Sequence, residues 1–129
     1  GYGAGVVDVM RDRQFDVTGV QFGGVPNDSR FFNKRSEMYF ELAKWVRDGG
    51  ALPQDKQLKE ELCATTFVYQ KDKFRIVEKE LIKQAIGRSP DKADALALTF
   101  AYTVHKRHPL AEHRNNERSR REYNPLDCV

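Results

Sequence analysis

Apolar positions along this chain change period several times, and each change marks an element. Val6, Val7 and Met10 fall at helical spacing, predicting a helix over residues 4–14. Residues 16–22 then alternate apolar and polar, through Val17, Gly19, Val20 and Phe22, which predicts a strand. Residues 23–29 are rich in Gly, Pro, Asn and Asp and predict a loop. Met38, Leu42, Trp45 and Val46 return to helical spacing over residues 33–47, and Asp48-Gly49-Gly50 stops that helix. A shorter helix is predicted over 53–63. Two β-rich runs, 65–69 and 74–77, flank Lys71-Asp72-Lys73 and predict a hairpin. A short helix over 80–86 ends at Gly87. No internal repeat is present.

The run 89–104 is different: beyond two acids it is almost wholly apolar. Ser89 is placed to cap a helix, Pro90 suits its first position, and Asp91 favours the positive end of the helix dipole. Asp91 and Asp94 are three apart and share one face, continued by Leu98 and Tyr102. Ala93, Leu96, Ala97, Phe100 and Val104 take the other side. A helix apolar all round is a buried helix, so Leu96 and Phe100, with Trp45, are predicted core residues. Two acids opening a buried helix are costly unless something positive meets them. A divalent cation is the usual candidate, because hard cations prefer carboxylate oxygens.

Composition narrows the class only a little. The 129 residues suffice for one domain, and 40% hydrophobic content allows a modest core. A net charge of +3 and a sequence pI near 8.9 are compatible with nucleic acid without establishing it. No apolar run approaches the twenty or so residues of a membrane span, and no secretory signal opens the chain. Cys63 and Cys128 fit no zinc spacing and read as free thiols in a reducing compartment. From His105 onward the chain is polar and Arg-rich, and residues 105–129 are predicted to form a poorly ordered tail. Gly1 lies inside a glycine-rich turn with no strand before it, so the chain is expected to be a piece of a longer protein.

Several segments, in order, resemble the large terminase subunit of tailed bacteriophages. Gly1-Tyr2-Gly3-Ala4-Gly5-Val6-Val7-Asp8 resembles the turn after the second acidic strand of that family. Residues 32–38 look like the helix start that follows. Leu58-Lys59-Glu60-Glu61-Leu62, the hairpin, and Ser89-Pro90-Asp91-Lys92-Ala93-Asp94-Ala95-Leu96 come next. The resemblance covers residues 1–104, and 89–100 is its most specific part. It implies an α/β, ribonuclease H-like nuclease fold, truncated here at its N-terminal strands. It also implies a metal-dependent endonuclease that cuts concatemeric viral DNA in the cytoplasm of the infected bacterial host. Such an enzyme uses two Mg²⁺ or Mn²⁺ ions. ATP would serve only an upstream motor domain, and a small terminase subunit and a portal protein would be partners. Asp91 becomes the first choice as metal ligand and catalytic acid, with Asp94 as second ligand or supporting acid. The other acids of the family would sit upstream of Gly1.

Other readings stay open beside this one. The pattern Asp-x-x-Asp-Ala-Leu-Ala also resembles the last helix of Holliday-junction resolvases, so another ribonuclease H-like nuclease, resolvase or transposase-like, is one alternative. A non-catalytic docking module or prophage remnant is another. Asp91 also reads as an acid serving the dipole, and Asp94 as a partly exposed acid paired to Lys92 or a neighbour. Asp8 reads as solvated, and the glycine turn as close packing. Arg35 and Glu37 read as a surface ion pair. Lys79, Lys83 and Arg88 line the approach to Asp91, where they could touch DNA phosphates or form a solvated face. The basic tail could meet DNA, a portal or a partner subunit. His105, His108 and His113 hold no register with the acids, and no metal site is placed there.

Overall fold

The computed structural model describes residues 3–103. It is a mixed α/β arrangement: α1 (Ala4–Asp12), α2 (Lys34–Arg47), α3 (Lys56–Ala64), β1 (Phe67–Gln70), β2 (Lys73–Ile76), α4 (Lys79–Ile86) and α5 (Asp91–Leu98). Local chemistry explains most boundaries. Asn33 caps α2 by accepting from the Ser36 N–H at 2.9 Å. Asp55 caps α3 through the N–H groups of Gln57 and Leu58, so this helix starts three residues later than Pro53 suggests. Gly87 ends α4 at φ 74°, a left-handed position that suits glycine.

β1 and β2 pair antiparallel in the register Phe67↔Ile76 to Gln70↔Lys73. Lys71 and Asp72, at φ 51° and 58°, make the two-residue turn without a glycine. Phe31 adds an isolated parallel bridge to Phe74. Around it Phe40, Phe67 and Phe74 form an aromatic cluster with ring centroids 5.0–6.3 Å apart.

The core lies where α2 packs on α5 and β2 and α3 packs on α4 and α5. Met38, Tyr39, Leu42, Leu58, Ile76, Ala93, Ala97 and Ala101 form its buried cluster. Leu96 and Phe100 are only half-buried at its margin. Trp45 is 39% exposed and is not a core residue. Its ring leans on Phe100 at 5.7 Å and over the backbone of Gly50, where a Cβ would run into it.

Three expectations change. Residues 16–22 form no strand, because no described strand lies beside them to complete a ladder. They hold no regular secondary structure and lead into a turn at Phe22, with Val20 and Phe22 packed on the core. The last helix stops at Leu98, where the Thr99 hydroxyl donates to the Leu96 carbonyl at 2.7 Å. Phe100 N–H and Ala101 N–H then bond three residues back, tightening the chain into turns. Nor is this helix buried on all sides: Ala93, Asp94 and Ala97 are buried, whereas Leu98 is 41% exposed. The tail from residue 105, with its histidines, its basic residues and Cys128, lies outside the described residues. Among the described residues no helix is long and apolar enough to cross a membrane.

Candidate functional site at the entrance of α5

The first turn of α5 brings Asp91 and Asp94 to one face, as their spacing predicts, but into unlike surroundings. Asp91 is open, its side chain 78% exposed, whereas that of Asp94 is 9% exposed. Burying an acid requires partners, and Asp94 has two hydrogen-bond donors, one from α2 and one from α4, and a guanidinium close by. The Tyr39 hydroxyl, on α2, donates to Oδ1 at 2.7 Å. The Lys79 ammonium, at the start of α4, donates to Oδ2 at 2.7 Å. Arg35, one turn before Tyr39, brings its Nε within 3.8 Å of Oδ1. Lys79 also reaches Asp91, with Nζ 3.8 Å from Oδ1. Two acids and two cations thus meet in one corner.

The two cations differ in freedom. The Arg35 side chain is 11% exposed, donates from Nη1 to the Val77 carbonyl at 2.8 Å, and lies over the Tyr39 ring at 5.3 Å. Its Nε and Nη2 are buried without a hydrogen-bond partner, so Asp94 meets Arg35 by charge more than by a directed bond. Lys79 is 40% exposed. Burial pushes the Tyr39 hydroxyl well above the usual phenol range, and the Asp94 carboxylate beside it pushes the same way. Tyr39 is therefore a fixed donor at any ordinary pH.

A second buried acid sets the position of this turn. Glu61 of α3 is fully buried and accepts from the Ala93 N–H at 2.9 Å and from Gln57 at 3.0 Å. It supplies the cap expected from Ser89: the residue at the cap position is Pro90, and no side-chain cap bond is made there. Arg88 Nε lies 3.6 Å from Glu61, and its Nη2 pairs with Glu60. Lys92 pairs with Asp55, not Asp94; its ammonium holds the Asp55 carboxyl below the usual range.

The other nominated residues are also placed. Lys83 pairs with Glu80 at 3.1 Å, so Lys79, Lys83 and Arg88 each face acids of this chain. Asp8 is exposed on α1. Arg35 and Glu37 are not a surface pair: α2 turns them to different partners. Glu37 binds the buried Lys34 ammonium at 2.6 Å and accepts from the Asp28 N–H at 2.8 Å. Burial raises the Glu37 carboxyl, but these donors outweigh it and hold the group below its ordinary value.

Tyr39, Arg35 and Glu61 are the site residues that sequence reasoning missed. Each left a signal. Arg35, Tyr39 and Leu42 fall at i, i+4 and i+7, placing an arginine on the apolar face of α2. Glu61 stands between Leu58 and Leu62 on the apolar face of α3.

Among the described residues, no group of three or more His, Cys, Asp or Glu is placed to hold a metal ion. As arranged, the corner does not fit a divalent cation: both Asp94 oxygens are taken, and Lys79 and Arg35 already meet the negative charge. No family model, no curated protein and no solved structure matches the chain.

Proposed function

We propose that this chain is part of a ribonuclease H-like, metal-dependent DNA endonuclease of the phage terminase kind, and that Asp91 and Asp94 belong to its cutting site. The observation that carries this reading is the entrance of α5. There the run that resembles the terminase motif presents one acid to solvent and holds a second directly beneath it, in a corner built from α2, α4 and α5. A solvated helix acid needs no such frame. Two carboxylates cannot fill the coordination shells of two ions, so the reading requires further acids from chain outside the described residues. Mg²⁺ or Mn²⁺ and double-stranded DNA are then the cofactor and substrate, with motor, small subunit and portal as the wider assembly.

Neutralisation of Asp94 by Lys79, Arg35 and Tyr39 favours a second reading, a non-catalytic module in which the corner only holds α4 and α5 together.

Plasmid cleavage separates the two. A protein that adds the coding sequence ahead of Gly1 is expected to nick or linearise supercoiled DNA with Mn²⁺, and Asp91→Ala is expected to abolish cutting. Residues 1–129 alone are expected to be inactive. Normal cutting by Asp91→Ala would remove Asp91 from the site. No cutting by the longer protein, with an upstream sequence that carries no further acidic strands, would favour the non-catalytic module.

A further inference from the structure

The two-stranded sheet has unequal edges. The Val77 N–H donates to the Thr66 carbonyl at 3.0 Å just beyond the paired residues. By antiparallel alternation Val68 and Gln70 then turn their backbone groups toward β2, and Phe67 and Tyr69 turn theirs away. The outer edge of β2 is occupied: the Phe74 N–H donates to the Arg30 carbonyl at 2.8 Å, and the Phe74 carbonyl accepts from the Phe32 N–H at 2.9 Å. β2 also carries Lys73 and Arg75, charges of the kind that guard a sheet edge. On the outer edge of β1 no described element is bonded. That strand carries no charge and no proline, and Phe67, Val68 and Tyr69 are all exposed. Phe67 continues this apolar surface into a groove between α2 and α3, walled by Phe40, Val46 and Leu62.

We propose that the outer edge of β1 is a self-association surface, on which β1 of a second copy of this chain pairs antiparallel about a two-fold axis at Val68. The uncharged sequence selects this occupant. A two-fold contact sets a strand against itself, which a charged edge resists and Phe67-Val68-Tyr69-Gln70 permits. The open backbone groups select the register. Centring on Val68 sets Phe67 opposite Tyr69 of the second copy, and Tyr69 opposite its Phe67, so the outward N–H and C=O groups of both strands are all bonded. The Phe67 and Tyr69 rings share a face with Phe74, at 6.0 and 5.1 Å. Each new cross-strand pair is therefore aromatic on aromatic and extends the cluster of Phe40 and Phe74 across the contact. On the other face Val68 meets its own copy at the axis. Lys71 falls opposite Thr65, and no charge of either strand meets its like. Two two-stranded sheets thus join into one, and assembly closes at the dimer because the open edge of each copy is used. The contact stands apart from the α5 corner and does not rest on the nuclease reading.

The test is sedimentation velocity of residues 1–129 over a range of concentrations, read beside amide hydrogen exchange at the same concentrations. A monomer–dimer equilibrium is expected. The Phe67 and Tyr69 amides gain protection as dimer forms, while those of Val68 and Gln70, already bonded to β2, change little. Val68→Lys sets like charges against each other at the axis, on a side chain exposed in the single copy. It is expected to raise the dissociation constant by at least about tenfold with an unchanged circular dichroism spectrum. Val68→Thr keeps a neutral strand former there and is expected to remain dimeric. Val25→Lys adds the same charge at an exposed apolar residue of the loop ahead of α2 and is expected to leave the dissociation constant unchanged. A parent protein still monomeric at about 1 mM would overturn the proposal, whether its Phe67 and Tyr69 amides exchange freely or are covered by another part of the same chain. A dimer in which those two amides exchange freely would overturn it too, because the contact would lie elsewhere. So would association that continues past the dimer, a Val68→Lys protein that dimerises as the parent does, or a loss matched by Val25→Lys. The exchange pattern of the parent needs no variant and stands if Val68→Lys fails to fold.

Discussion

The two ends of the described chain each carry a short helix, and the two helices are built to different standards. At the start, α1 buries none of its residues, and Val6 and Val9 are 61% and 53% exposed. Gly3 stands at its cap position with no side-chain cap bond. It meets the following segment through contacts such as Arg11 Nε to the Val17 carbonyl at 3.4 Å. At the other end, α5 is one residue shorter, yet it is fixed by Glu61 from α3, by Tyr39 and Arg35 from α2 and by Lys79 from α4. Both helices are apolar enough to seem packed. What separates them is the polar frame: side chains far away in sequence are positioned to receive α5, and none of the described elements packs on α1.

This contrast gives a ranked set of expectations. Met38 is fully buried in the cluster that α5 packs against, so Met38→Ala is expected to lower stability by about 2–5 kcal/mol in a denaturant titration. A loss under about 1 kcal/mol would mean that the α2–α5 packing is not the centre of the fold. Leu96→Ala is expected to fall below Met38→Ala, because Leu96 is only half-buried.

Acid should loosen the α2 side next. The Glu37 carboxyl is held below its ordinary value when folded, so its contribution to stability is present above the unfolded value and is lost as pH falls through the folded one. The expected result is an acid transition, starting near pH 4 and followed by circular dichroism, that flattens in Glu37→Gln. An unchanged profile would show that the Lys34–Glu37 pair does not contribute. The smallest effect belongs to α1, where Val6→Ala is expected to change stability by less than about 0.5 kcal/mol. A larger loss would mean that α1 is packed after all and would weaken the contrast itself.

How much of this was legible depended on the range of the interaction. The α2 helix, the hairpin and α4 follow from local signals: helical spacing stopped by Asp48-Gly49-Gly50, the paired β-rich runs and Gly87. The grouping of Asp91 and Asp94 was legible for the same reason, being a matter of helical spacing. Residues 16–22 misled because alternation describes a strand's faces and says nothing of its neighbours. The extension of α5 beyond Leu98 misled because apolar periodicity does not register a threonine that turns its hydroxyl onto the preceding carbonyl. The partners of Asp94 were the least legible part. Tyr39 lies 55 residues away, and only packing of α2 on α5 brings its hydroxyl to the acid.

The account turns on the unequal standing of two acids three residues apart, and a paired denaturant titration of Asp91→Ala and Asp94→Ala measures that inequality directly. Asp91→Ala removes an open side chain and is expected to alter stability by less than about 0.5 kcal/mol. Asp94→Ala removes the acid that Tyr39, Arg35 and Lys79 converge on, leaves the buried Nε and Nη2 of Arg35 without their counter-charge, and is expected to cost about 3 kcal/mol. Equal effects, or a larger loss at Asp91, would contradict the corner described here and the site built on it.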